Sequence, residues 1–276
     1  MSLSLRAAAG YVADYRNPYE PDEDLNIWQR DLAELFGVPF EEARLASGRN
    51  IGFTELAEHA LRAMPVTVLR PDMIVVAHGL PDWRPFNTMS VYLDYLLGTG
   101  ARNFAVSEQG LRAPFTALRI GDAYARSGRC RSLALLVVEQ TTLAYHLPLV
   151  HDTPLTDSAA LFLFGAAGEG TWDLAGGRPG TDAGTLIRDA AAGLPADDVL
   201  VVGGPWVDQE ALAANDFAVH RVESGSYCTS VWLALARQHE RWAQRYRALV
   251  LCDTDPRTGQ SQAVLLRTPD LREART

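Results

Sequence analysis

The chain has 276 residues, 47% of them apolar, enough to build one large domain or two packed halves. Its formal charge of −9 argues against nucleic acid as a partner, because phosphate binding needs a basic field. All 25 basic residues are Arg, so a lysine Schiff base and a phosphate-cradling P-loop lysine are both excluded.

The opening "MSLSLRAAAG" lacks the sustained apolar core of a signal peptide and predicts a strand near 3–12. The acidic "EPDED" at 20–24 is expected to be exposed or mobile, with a helix near 26–36 after it. A second helix over 54–64 has Thr54 as its expected N-cap. Next come a buried strand "MIVVAHG" (73–79), a helix over 88–98 stopped by Gly98, and a strand at 103–107. The amphipathic run 112–127 is a long helix ending at Gly128, and strands at 132–140 and 158–167 close the unit.

Residues 168–184, rich in Gly, Asp and Pro, are the expected junction, dividing the chain into halves 1–168 and 169–276. The second half repeats the plan in shorter form. "GTWDLAGG" reads as a strand, 182–193 as a helix, "VLVVGGP" (199–205) as a buried strand and 206–214 as a short helix. "FAVHRV" (217–222) is another strand, 229–246 a long helix, and 247–253 with 262–268 a closing strand pair. Apolar strands alternating with helices imply buried sheets between helical layers, here in two similar halves; the tail from Pro269 is expected to be exposed or mobile.

Several stretches resemble the thiolase fold, and within it the ketoacyl-acyl-carrier-protein synthase III group. "DMIVVAHGLPDWRPFNTMSVYLDYLLG" resembles that group's strand, proline loop and helix, and "NFAVSEQGLRAPFTALRIGDAYARSGRCRSLALLVVEQ" its nucleophile strand, helix and following strand. "DTPLTDSAALFLFGAA", "SGSYCTSVWLALA" and "RYRALVLCDTDPRTGQSQAVLLR" are similar to the strand closing the first half, the Asn-bearing helix start and the C-terminal strand pair. The resemblance spans most of the chain and is specific before residue 170, loose after it. It implies an α/β fold of two βαβαβαββ halves with stacked mixed sheets, and decarboxylative condensation by a Cys, a His and an Asn.

None of the three catalytic side chains is present. Counting back from Ser127–Gly128, the nucleophile position holds Leu111; the His position falls at or beside Gly204, and the Asn position near Gly225 or Ser226. The glycine-rich loop before the last strand reads "DTDPRTG", keeping only Gly259. The chain is also shorter than a typical member, mostly between 150 and 200, where insertions usually cover the acyl tunnel. The resemblance thus points to a catalytically silent subunit, similar to the small triad-less subunit of heterodimeric alkylquinolone-type synthases. Its implied partner is an active ketosynthase III-like homologue, with acyl-CoA or an acyl carrier protein engaged through that partner. No cofactor, nucleic acid or membrane is implied, and the cytoplasm is the expected location.

The resemblance places Arg84 and Phe86, around Pro85, and Ser107 and Gln109, at a strand end, in the subunit interface. An aromatic in that proline loop lines the partner's tunnel in the family; Arg84, just before Pro85, suits a polar or anionic acyl group or is a solvated loop arginine. A second reading is a stand-alone acyltransferase or thioesterase. Its nucleophile is Cys228 at a helix start, with His220 or His78 as base, or Ser107 in "SEQG", which lacks the Gly-x-Ser-x-Gly elbow. Cys130 and Cys252 read as core, and three scattered cysteines without a Cys-x-x-Cys pair suit reduced thiols. His78, or His146 and His151 with Asp152, match no standard metal motif, so no metal is expected. Arg237, Arg241 and Arg245 on one helix face, and "RSGRCR" (126–131), are either docking spots for an acidic carrier or wet surface.

Overall fold

The computed structural model describes residues 2–65, 70–86 and 88–269. The first half comprises β1 (Leu3–Val12), α1 (Glu23–Leu35), α2 (Glu42–Ser47), α3 (Phe53–Arg62), β2 (Met73–Ala77), α4 (Met89–Leu97), β3 (Arg102–Val106), α5 (Ala113–Arg126), β4 (Leu133–Glu139), α6 (Pro148–His151) and β5 (Ser158–Ala166). The second comprises β6 (Trp172–Gly180), α7 (Ala183–Ala190), β7 (Val199–Gly203), α8 (Gln209–Ala213), β8 (Ala218–Arg221), α9 (Ser230–Ala243), β9 (Ala248–Thr254) and β10 (Ser261–Arg267).

The strands lie in the order β3-β2-β4-β5-β1-β6-β10-β9-β7-β8. Each half uses the same order, run in opposite directions from the β1–β6 seam. The pairing sense also repeats: β2 is parallel to β3 and β4, as β7 is to β8 and β9, while β5 and β10 are antiparallel to both their neighbours. A short antiparallel pairing, Ser4 with Asp173 and Leu5 with Trp172, joins the halves. The duplication is therefore in topology even though the residues differ.

Side-chain parity along the strands builds the layers. Leu133, Leu135 and Val137 of β4 share one core with Leu249 and Leu251 of β9 and with helices α5 and α9, while Ala134, Leu136 and Val138 join α3 and α4 in an outer core. Val199, Val201, Val250 and Cys252 pack with α7 in the third. Helices α5 and α9 thus lie between the two half-sheets, where Trp232 of α9 meets Phe115 of α5 edge-on at 5.1 Å between centroids. The starts of these two helices carry two of the three positions at which the resemblance would place catalytic side chains.

Several local expectations change. α3 starts at Phe53 with Gly52 as N-cap, so Thr54 lies inside the first turn and does not cap; the Asp82 carboxylate accepts from Phe53 N–H instead, at 3.4 Å. "EPDED" is exposed but not a loose segment: Asp22 caps α1, accepting from Leu25 N–H at 3.0 Å, and Glu23 and Asp24 lie in the first turn, where negative charge suits the helix dipole. Most of the 168–184 junction is strand β6, paired with β10 despite its glycines. Arg245 falls beyond the end of α9, with its guanidinium 5.2 Å from the Tyr246 ring centroid. The tail expected to be exposed lies, from residue 270, outside the described residues.

Candidate functional site

Leu111 sits in a 3₁₀ turn, Gly110–Arg112, that leads directly into α5, so the strand–turn–helix geometry of a nucleophile site is present. Its side chain is 1% exposed and part of the central core. An apolar side chain there can neither attack nor carry an acyl group. The space beside it is filled by a residue that sequence reasoning missed, Tyr227, itself fully buried just ahead of α9.

The Tyr227 hydroxyl donates to Asp255 Oδ2 at 3.1 Å and receives a hydrogen bond from the Leu111 backbone N–H. A Cβ on Gly110 would collide with both that hydroxyl and the Asp255 carboxylate, and Gly110 has φ of +54°, so glycine is required there twice over. Asp255 is held by the β9–β10 turn: Arg257 N–H donates to its Oδ1 at 2.9 Å. The aromatic ring, the turn and the helix mouth therefore lock one another.

The position at Gly204 is closed in the same way, whereas a Cβ on Gly225 would meet nothing within 4 Å. A Cβ on Gly204 would collide with the carboxylate of Asp253, which accepts from Ser230 Oγ at 2.6 Å and Thr254 N–H at 2.9 Å. A buried carboxylate thus occupies the room a histidine ring would need. Gly225 has φ of +139° and its carbonyl accepts from Thr156 N–H and Oγ, at 2.8 and 2.9 Å, which pins the loop entering α9; Ser226 beside it is buried. Next to this loop the fully buried Glu139, at the end of β4, accepts from Tyr227 N–H and Cys228 N–H. Burial pushes the carboxyls of Glu139 and Asp253 up to about 7, against the pull of these hydrogen bonds.

Cys228 is 1% exposed, and burial, with the Glu139 charge second, pushes its thiol well above the usual range. A nucleophilic cysteine needs the opposite, a stabilised thiolate with access. His78 contacts the Leu80 carbonyl at 2.8 Å and packs on Phe53, and burial lowers its pKa; His220 lies in edge strand β8 against Trp242. The geometry puts Glu139, not a histidine, beside the Cys228 thiol. Ser107 and Gln109 are half-buried after β3; Gln109 accepts from Thr116 Oγ at 2.7 Å, and the exposed Glu108 between them has a left-handed φ of +58°. His146 and His151 stack at 5.2 Å, with Asp152 3.5 Å from His146, yet no set of three potential ligands able to hold a metal occurs among the described residues.

At the β3 edge of the sheet the picture differs. Among the described residues β3 pairs only with β2, leaving its outer N–H and C=O groups without a strand partner. Helix α4 flanks it and exposes Val91 and Tyr95, the latter 78%. Phe86 is 63% exposed and meets Trp28 of α1 edge-on at 5.8 Å, while Arg84 lies over the Trp83 ring at 4.4 Å. α1 adds the exposed Ile27, Leu32, Leu35 and Phe36.

No protein-family model matches the sequence, and no curated protein matches it significantly. Solved structures do match over nearly their whole length. The 3-oxoacyl-(acyl carrier protein) synthase III, FabH, of Pseudomonas aeruginosa superposes with a TM-score of 0.69 at 16% identity, covering 98% of this chain and 99% of that one. The corresponding synthase of Aquifex aeolicus gives 0.66 at 16%, covering 96% and 99%, and a variant of Xanthomonas campestris OleA gives 0.60 at 11%, covering 97% and 98%. The chain has the thiolase-like α/β fold of these proteins, and at such identities the likeness concerns the fold.

Proposed function

We propose that this chain is a catalytically silent subunit that pairs with an active ketosynthase III-like homologue in a condensing or acyl-transferring enzyme. The observation that carries this reading is the packing at two positions: Leu111, buried under Tyr227, offers no nucleophile at the helix mouth, and the Asp253 carboxylate takes the space a side chain at Gly204 would need. Loss of side chains alone would leave a hole. Here the hole has been packed and hydrogen-bonded, as befits a protein retained for its surface.

That surface supports the second half of the reading. An unpaired edge strand beside exposed aromatic and aliphatic side chains is unfavourable in a lone chain and suits a partner of the same architecture, strand to strand across a pseudo-two-fold axis. Phe86 and Arg84, at the exposed tip of the proline loop, would then face the partner and complete its substrate channel, with Ser107 and Gln109 nearer the axis. Acyl-CoA or an acyl carrier protein would engage the partner.

The test is co-expression with a ketosynthase-like chain encoded beside this one. The expected result is a one-to-one heterodimer whose condensing activity depends on both chains. A homodimer that leaves the other chain's activity unchanged would overturn the proposal. The isolated chain, mixed with acetyl-CoA, is expected to gain no acyl mass; an adduct dependent on Cys228 would instead favour the stand-alone acyltransferase.

A further inference from the structure

Away from the filled site, the outward face of α5 builds a pocket of one electrostatic sign. A cavity of about 390 Å³ is lined by Arg112, Thr116 and Arg119 along the helix, facing Gln260 and Gln262 at β10, with Gln109 and Thr181 at its ends. Two guanidinium groups and several neutral donors line it, and no carboxylate does. This is unusual for a chain carrying net charge −9.

Its charges are not balanced internally. Neither Arg112 nor Arg119 forms an ion pair among the described residues; Arg112 spends its N–H groups on the Gln109 carbonyl and Gln260 Oε1, and Arg119 on Thr116 Oγ at 3.1 Å. Burial, and then the neighbouring Arg112, lower the Arg119 pKa, so its main charged neighbour repels it. Opposite them, Gln262 is 2% exposed, on the face of β10 that also points Val264 and Leu266 inward toward the middle layer. Among the described residues its carboxamide makes no hydrogen bond, although it borders the cavity. Two arginines without an acidic partner, and an amide donor that borders the cavity, are what a multiply charged oxyanion completes, by charge and by directed N–H groups.

We infer that this cavity is a binding site for a phosphate-type oxyanion, held by Arg112 and Arg119 with Gln262 supplying a neutral donor. The cavity is roomier than the oxyanion needs, so the group is either free phosphate or the end of a phosphate ester. The inference does not need the proposed subunit role, although Gln109 at the cavity's edge is also placed near the subunit contact.

Calorimetric titration of the full chain at low ionic strength with inorganic phosphate, and separately with glycerol 3-phosphate, tests it. The expected result is saturable one-to-one binding of at least one of them. The ester binding more tightly assigns the site to phosphate esters, and inorganic phosphate binding at least as well assigns it to the free ion. Arg112→Gln and Arg119→Gln should each weaken binding by roughly tenfold or more, the usual loss on removing a charged hydrogen-bonding partner. Thr116→Glu, which places a carboxylate between the two arginines, should abolish binding while leaving Tm unchanged or higher. Arg237→Gln, on α9, should have no effect. Absence of saturable binding for both probes, or binding equally sensitive to Arg237→Gln, would overturn the inference.

Discussion

Leu111 shows how much one position decides. The helix mouth is intact, so its dipole still points at the spot where a thiolate would be stabilised. Restoring the thiol alone should nonetheless restore nothing. In Leu111→Cys the new sulfur would lie under Tyr227, with Asp253 in the place of the histidine and both Glu139 oxygens committed to the Tyr227 and Cys228 N–H groups. The expected outcome is a folded variant that gains no acyl mass from acetyl-CoA by intact-mass spectrometry, and an adduct on residue 111 would show that the site is still open. The assignments at Gly204 and Gly225 rested on resembling stretches, whereas the Leu111 position was legible by counting back from Gly128. The refilling was not. Tyr227 and Asp253 acquire their meaning from Gly110 and Gly204, far away in the chain.

Most elements were readable because strands buried on both faces give continuous apolar runs, and β2, β4, β5, β7, β9 and β10 are of that kind. The failures have physical causes. α2 and α6 span 6 and 4 residues, too short to show a helical period, and β6 runs on past the expected "GTWDLAGG" strand through Pro179 and Gly180, which look like a turn. Burial along β3 follows the pattern of an edge strand, exposed at Arg102 and Ala105 and buried only at Val106. On the proposed reading this edge, with α4 and the proline loop, is the subunit contact. Phe86→Asp combined with Tyr95→Asp replaces two exposed side chains, so the isolated chain should keep its Tm. Association with the partner should weaken by at least about tenfold, since desolvated aromatic anchors dominate such contacts. Sedimentation of the mixed chains measures it; unchanged association would place the interface elsewhere.

At the scale of the whole molecule, the duplicated architecture buries acidic groups where the two halves meet the middle layer. Glu139 and Asp253 are fully buried, and burial raises both carboxyls to about 7; Asp82 is raised to about 6 by the same cause. A carboxyl whose pKa is higher in the folded state keeps a proton that the unfolded chain has already released. Its contribution to stability is full below the ordinary carboxylate range and declines as pH rises through the raised value. Three histidines work the other way, because burial lowers the pKa of His78, His220 and His239 and protonation then favours the unfolded chain. A bare pH profile mixes these opposed terms, so the clean measurement is a difference. Glu139→Gln removes one titrating group while keeping an oxygen for one of the two N–H donors. The variant should lose a constant amount for the missing acceptor, yet its stability relative to the parent should climb between pH 4.5 and about 7. The expected slope is of order 1 kcal/mol per pH unit, levelling off on either side. Urea unfolding of both proteins at pH 5, 6, 7 and 8 measures this. A difference that stays flat across that range would mean that Glu139 is ionised in the fold throughout, its two N–H donors outweighing its burial.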